Sequence, residues 1–209
     1  MKEIILKLEV KELRKKDHKK AVQYAIVGMH FDMYFAHRLE LKLYGRYFWY
    51  VELINATRVI AAYTGDELAG VLLADIRNEE KLYRSFWRSS YVKIFEWIQR
   101  VFFKNSAGIY DGVNKRMLRN YKKKYNPDGE IRFLAVNPDI KVKGTGTKLL
   151  YEFEAKTKGK EIYLFTDDQC TYQFYEHRGF ERAKEEDIEL ELNKGKMPLK
   201  CLLYRKRIG

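Results

Sequence analysis

The apolar residues of the chain change their period several times, and each change marks a predicted element. Residues 2–10 alternate apolar and charged side chains, which predicts a strand, and residues 16–28 form a basic helical stretch. An apolar residue at every fourth position then predicts one helix, or two helices hinged at Gly45. These positions are Phe35, Leu39, Leu43, Tyr47 and Val51. The chain therefore begins with a strand and helices.

The middle of the chain predicts a hairpin followed by helices. Residues 58–63 and 68–76 are rich in β-formers, and the turn between them contains a glycine, which supplies the positive φ that tight turns need. These two runs should be antiparallel neighbours. Helical spacing returns over residues 79–103 and 109–124, so two amphipathic helices should follow the hairpin.

From residue 130 onward the pattern is the most regular. The predicted order is strand, helix, strand, short helix and two strands, at residues 130–136, 145–156, 161–165, 168–177, 188–192 and 199–205. A β-loop-α-β core with antiparallel pairs at both ends predicts an α/β (α+β) fold. Its sheet should be mixed, mostly antiparallel and six- to seven-stranded, with helices on its faces and a helical insertion before the fourth strand.

Composition indicates that the whole chain folds. Of its 209 residues 46% are hydrophobic, and the length favours one domain over residues 1–209 with an insertion at about 78–129. Cys170 and Cys201 stand alone, so neither a disulfide framework nor a metal site is predicted, and a cytoplasmic location is expected. The chain contains no 18-residue apolar stretch, so we expect no membrane span.

The positive charge is concentrated in the insertion. Residues 78–129 contain 12 Lys or Arg and 5 Asp or Glu, which accounts for +7 of the net charge of +12. Such a charge suits nucleic acid, an anionic membrane surface or a phosphorylated ligand, although charge runs usually only solvate a helix face. Because the same helices contain many large aromatic residues, we expect them to pack on the domain or on a second subunit of a homodimer. This argues against a nucleic-acid module.

A glycine-rich loop between a predicted strand and a predicted helix is the main candidate for ligand binding. The backbone N–H groups that begin a helix have no intrahelical partner, and glycines let a phosphate approach them closely. The loop and the start of the helix are formed by Lys141, Val142, Lys143, Gly144, Thr145, Gly146 and Thr147. The spacing fits neither a nucleotide-triphosphate loop nor a dinucleotide fingerprint.

At these residues the chain resembles the GNAT superfamily of N-acetyltransferases. The family's acyl-CoA loop, [RQ]-x-x-G-x-[GA], is similar to Lys141-x-x-Gly144-x-Gly146, with lysine at the first position. Upstream, Phe133-Leu134-Ala135-Val136-Asn137-Pro138 is similar to the family's central strand, and downstream Phe174-Tyr175-Glu176-His177-Arg178-Gly179-Phe180 is similar to its [FL]-Y-x-x-x-G-F element. The resemblance covers about residues 130–183.

The resemblance implies acetyl-CoA as the acyl donor. In the family the donor lies in a gap between two diverging parallel strands, here residues 130–136 and 161–165, so the central parallel pair of the sheet should be splayed. Its pantetheine arm would pair with backbone near Leu134 and Val136, and the Leu134 N–H would stabilise the oxyanion. Asp168 stands where many relatives carry an asparagine that contacts this arm, or it caps the following helix.

Two further residues are candidates for proton transfer. Tyr175 would protonate the departing thiolate, because an ordinary tyrosine is protonated at neutral pH; alternatively it only packs near the cofactor. Glu130 matches an acidic residue that accepts the amine proton in several relatives, although it is alternatively a solvated strand-end residue.

The resulting hypothesis is an N-acetyltransferase that moves an acetyl group from acetyl-CoA to a primary amine by direct attack in a ternary complex. The alternative is a non-catalytic module that senses acyl-CoA or binds nucleic acid. The acceptor, a small-molecule or peptide amine, is not identified by any motif. An aromatic group either lines its pocket or belongs to the core, namely Tyr44, Tyr47, Phe48, Trp49 and Tyr50.

Overall fold

Seven strands form one sheet in the computed structural model, which describes residues 7–35, 37–102, 107–140, 142–192 and 195–209. The strands are β1 (Leu8–Lys11), β2 (Arg58–Thr64), β3 (Glu67–Ile76), β4 (Gly129–Val136), β5 (Glu161–Asp167), β6 (Glu181–Leu192) and β7 (Gly195–Arg207). Their order in the sheet is β1-β2-β3-β4-β5-β7-β6, and only the β4–β5 pair is parallel. The predicted mixed, mostly antiparallel sheet is confirmed.

Six α-helices accompany the sheet in the described ranges. They are α1 (His18–Gly28), α2 (Arg38–Asn55), α3 (Phe86–Phe102), α4 (Ala107–Lys122), α5 (Thr145–Lys156) and α6 (Gln173–Glu176). Short 3-10 turns lie at Lys15–Asp17 and Phe31–Met33. The two predicted helices before the fourth strand are present as α3 and α4. No helix in the described part of the chain is long and apolar enough to cross a membrane.

Of the two alternatives for this region, one helix is confirmed and the hinge at Gly45 is excluded, because α2 runs through this residue without a break. A Cβ atom at Gly45 would lie 2.6 Å from Cγ1 and 2.8 Å from Cδ1 of Ile26 in α1. The glycine therefore serves close packing of α1 against α2 and not a bend.

Two predicted boundaries are also wrong. Helix α3 begins at Phe86 and not at residue 79, since Glu79 pairs with Arg58 at 2.6 Å and Lys81 pairs with Asp75 at 2.5 Å, which ties the preceding segment to the sheet. The C-terminal hairpin is longer than predicted because β6 and β7 pair from Glu181 to Leu192, with one register shift at Ala183. The first predicted strand is represented by β1, and residues 1–6 lie outside the described ranges.

Helix α6 has four residues and not the ten predicted at 168–177. The Asp167 carboxylate accepts the backbone N–H groups of Gln169 and Cys170, each at 3.1 Å, which turns the chain before a helix can start. The Asp168 carboxylate accepts the Lys200 N–H at 3.1 Å. Asp168 therefore does not cap the helix.

The helices cover both faces of the sheet. Helix α5 packs on one face through Leu149, Leu150 and Phe153. The other face is covered by α1 and α2 at one end, where Trp49 is fully buried, and by α4 over β6 and β7 at the other. Trp49 thus belongs to the core. The parallel β4–β5 pair lies at the centre of the sheet, between these layers.

Candidate active site

The parallel strands β4 and β5 stay together for only three residue pairs. Gly129, Glu130 and Ile131 pair with Ile162, Tyr163 and Leu164, and no later residue of β4 pairs with β5. Beyond this point β4 continues along β3, and β5 continues along β7. A gap therefore opens between the two strands toward their C-terminal ends, as the splayed pair predicts.

A β-bulge in β4 lies where the gap begins. Leu73 of β3 pairs with Phe133, and the next residue of β3, Ala74, pairs with Ile131, so Arg132 is the extra residue. A bulge bends its strand and turns side chains to a different face. Here Ile131 joins the core beside α5, whereas Phe133 joins the core beside α1 and α2. The bulge thus contributes to the divergence of β4 from β5.

The glycine-rich loop leads into α5 at the same end of the sheet. Gly144 is the N-cap residue with φ of 86°, in the left-handed region that glycine adopts readily, and it provides no side-chain cap. The first N–H groups of α5 therefore lack a capping side chain. Val142, Lys143, Thr145 and Thr147 lie in the loop or the first turn; Lys141 lies outside the described residues.

Arg178 adds a cation to this helix end. It stacks over the Phe174 ring at 3.8 Å, its Nη1 donates to the Phe174 carbonyl oxygen at 2.9 Å, and its Nη2 donates to Thr147 Oγ1. Its Nε is buried and has no hydrogen-bond partner among the described residues. A Cβ at Gly144 would meet no atom within 4 Å, so the loop surface is open. The open surface at Gly144, the uncapped helix and the positive charge of Arg178 fit a phosphorylated ligand.

Arg178 was missed as a functional candidate because it occupies a variable position of the aromatic motif. The only signal was its place in that motif. By contrast Lys148, in the first turn of α5, pairs with Glu152 at 2.8 Å. Lys143 is exposed.

Tyr175 lies on the α5 face of the sheet. Its ring packs edge-on against Phe174 and Phe180, with centroids 5.2 and 5.7 Å apart. Burial raises the pKa of Tyr175 above its ordinary value, and no hydrogen bond of its hydroxyl within the described residues opposes this. The hydroxyl therefore keeps its proton at neutral pH and has it free to donate.

Glu130 lies on the opposite face. Its Oε2 accepts a hydrogen bond from the Tyr163 hydroxyl at 3.1 Å and from Arg132 Nη1 at 3.3 Å. Burial raises the pKa of Glu130, and the Arg132 charge opposes that rise. A carboxylate with a raised pKa is a stronger base than the solvated glutamate considered from the sequence. Glu130 also borders an open cleft of about 620 Å³ together with Asp75 and Lys122.

The structure does not bring Tyr175 and Glu130 into contact. They lie on opposite faces of the sheet, and the β4–β5 gap starts after Ile131, one residue beyond Glu130. Leu134 and Val136 belong to the part of β4 beyond the last β5 pair; Leu134 packs toward α5, and Val136 is 41% exposed. Asp168 is exposed just after the C-terminal end of β5.

No group of three or more His, Cys, Asp or Glu side chains that could hold a metal ion occurs among the described residues. The two described cysteines do not supply an alternative nucleophile. Burial raises the pKa of Cys170 to about 12 and that of Cys201 to about 12, so both remain thiols near neutral pH.

Comparison with known proteins agrees with this architecture. The model of the acetyltransferase (GNAT) family matches residues 24–180. A histone acetyltransferase HPA2 and related acetyltransferase from Corynebacterium glutamicum superposes with a TM-score of 0.55 at 13% identity, covering 94% of each chain. The ribosomal-protein-S18-alanine N-acetyltransferase from Escherichia coli has a TM-score of 0.53 at 12% identity, covering 97% of this chain and 95% of its own. At these identities the likeness shows the fold. No curated protein sequence matches the chain significantly.

Proposed function

The chain belongs to the acetyltransferase (GNAT) family, and we propose that it transfers an acetyl group from acetyl-CoA to a primary amine. The transfer would occur by direct attack within a ternary complex. The whole chain from residue 1 to 209 would act as one acyltransferase domain, with α3 and α4 as its insertion.

One arrangement carries this proposal: the gap between β4 and β5 has the Tyr175 hydroxyl on one face of the sheet and the Glu130 carboxylate on the other. A donor thioester in that gap would meet Tyr175 from the α5 side. An amine would approach from the side of Glu130. The uncapped end of α5, with Arg178 beside it, would hold the pyrophosphate of the donor.

Each residue then has one role in the reaction. Glu130 accepts a proton from the incoming ammonium, and the freed nitrogen bonds to the thioester carbonyl carbon. The Leu134 N–H donates to the carbonyl oxygen while negative charge develops there. As the C–S bond breaks, the sulfur takes the proton of the Tyr175 hydroxyl. The nitrogen then loses its second proton to water, so the products are an amide and the CoA thiol, and exchange with solvent returns Glu130 and Tyr175 to their starting protonation states.

Substituting Tyr175 by phenylalanine tests the proposal. This change removes a proton donor that is needed only in the transition state and keeps the ring that packs against Phe174 and Phe180. We expect kcat to fall by about 10²-fold, the low end for a positioned general acid, while acetyl-CoA affinity changes little. Thiol release would report turnover, and calorimetry would report binding.

The acceptor must first be found with a panel of polyamines, amino acids, aminoglycosides and basic peptides. Tyr172→Phe is a matched control, because Tyr172 precedes the same helix and has no assigned role in the reaction. Binding of acetyl-CoA without thiol release in any mixture would favour a sensor. Unchanged turnover in Tyr175→Phe would remove this residue from the mechanism, and a parallel loss of binding would make it a packing residue.

A further inference from the structure

Glu52 is a buried carboxyl for which the proposed reaction has no use. It lies in α2, is only 8% exposed, and faces the arginine at the β4 bulge. Its Oε2 lies 2.7 Å from Arg132 Nε, and its Oε1 accepts a hydrogen bond from Arg132 Nη2 at 3.3 Å. Burying a carboxylate this far costs free energy unless a cation pairs with it, and Arg132 is that cation.

The same guanidinium serves a second carboxylate. Arg132 Nη1 donates to Glu130 Oε2 at 3.3 Å, so one positive charge is divided between Glu52 and Glu130. The pairing is also imperfect, since Arg132 Nε and Glu52 Oε2 are buried without a hydrogen bond of proper geometry despite their short separation. With both carboxylates ionised, the group carries one negative charge more than the arginine neutralises.

Charged groups on neighbouring elements also act on these two carboxylates. Asp75 of β3 and Lys122 of α4 act on Glu130 with opposite signs, and Asp111 of α4 acts on Glu52. Burial raises the pKa of Glu52 to about 7, against the opposing effect of Arg132. The Glu52 charge is therefore present on the alkaline side of neutrality, where a larger share of an amine acceptor is unprotonated.

We propose that Glu52 is a positioning residue that draws Arg132 away from full pairing with Glu130 and so keeps the Glu130 carboxylate basic enough to accept the amine proton. This inference rests on the proposed acetyl transfer. An arginine devoted to Glu130 alone would stabilise its ionised form and weaken it as a base. Because Glu52 holds the Arg132 guanidinium at the bulge, it also fixes the orientation of the Glu130 side chain.

Glu52→Gln tests the inference with little change in shape. The amide keeps an oxygen for Arg132 but removes the negative charge, so Arg132 interacts more strongly with Glu130. Because Glu52 is ionised only above about pH 7, we expect kcat/KM of Glu52→Gln to fall several-fold above this pH and to change little below it. The same acceptor is used for both proteins, so its own ionisation cancels. Glu52→Asp, which restores the charge, should return kcat/KM above about pH 7 toward its original value.

Two controls make the result specific. Glu40→Gln in the first turn of the same helix removes an equal charge and should leave the profile unchanged. Carboxyl ¹³C NMR of glutamate-labelled protein, with Glu130 assigned through Glu130→Gln, follows the Glu130 titration without turnover. A Glu130 signal with the same pH dependence in Glu52→Gln as in the parent protein, or an unchanged kcat/KM above about pH 7 in an active enzyme, would overturn the inference. A moved titration in a chain that acetylates nothing would instead count against the proposed function.

Discussion

The substitution Gly70→Ala tests how closely helix α5 packs on the sheet. Gly70 lies in β3 opposite Val136 of β4. A Cβ atom there would lie 2.9 Å from the Ala135 carbonyl oxygen, 3.0 Å from Cγ2 of Thr145 and 3.1 Å from Cδ1 of Leu149. The first contact is with backbone, which has no rotamer to change. Gly70→Ala must therefore shift β4 or the first turns of α5.

The expected change in the free energy of unfolding is the sum of two opposing contributions. Overpacking of a core by one carbon atom costs about 1–3 kcal/mol. Replacing glycine by alanine also restricts the unfolded chain, which returns about 0.4–1 kcal/mol. We expect a net loss of about 1–2 kcal/mol, or a fall in Tm of about 2–8 °C for a chain of this size. Since Thr145 begins α5, acetyl-CoA binding should weaken as well.

Thermal unfolding with and without acetyl-CoA would measure both effects. Gly112→Ala is the matched control, because Gly112 lies within α4 and a Cβ there would meet no atom within 4 Å. In that helix alanine should raise stability by about 0.5–1 kcal/mol. The two variants make the same chemical change with opposite expected signs. An unchanged or raised Tm for Gly70→Ala would refute the packing argument.

Three other perturbations have expected outcomes. Gly146→Glu should abolish the rise in Tm caused by acetyl-CoA, because a side chain there meets the Phe174 ring at 3.1 Å and places a carboxylate at the proposed phosphate site. A full ligand-induced rise in this variant would show that the loop is not the site. Trp49→Ala should lower the free energy of unfolding in urea by about 3–5 kcal/mol, because Trp49 is fully buried. Trp97→Ala should lower it by less than about 0.5 kcal/mol, because Trp97 is 62% exposed. Equal losses in the two variants would contradict this expectation. Burial raises the pKa of Glu52 from 4.5 to about 7, so the folded chain retains a proton that the unfolded chain loses, and stability should fall as pH rises through this window. Glu52→Gln should flatten that part of the profile of Tm against pH. An identical slope in the two proteins would argue against a raised pKa of Glu52.

The sequence by itself determined the order and type of most elements. Period and turn chemistry are local properties, so the hairpin at Gly65, the strand-loop-helix unit ending in α5 and the two inserted helices were all predictable. The family resemblance was equally local, because its motifs lie within residues 130–183. It correctly indicated the family and a mixed sheet with a central parallel pair.

Tertiary structure decided what depends on residues far apart in the chain. Gly45 is a packing position and not a hinge only because Ile26 of α1 lies against it. Arg132 and Glu52 are 80 residues apart, so no spacing rule could pair them. The roles of Tyr175 and Glu130 remain predictions, but their placement on opposite faces of the β4–β5 gap comes from the sheet. Local patterns specify elements, whereas burial, charge sharing and the approach of one backbone to another arise only when those elements pack together.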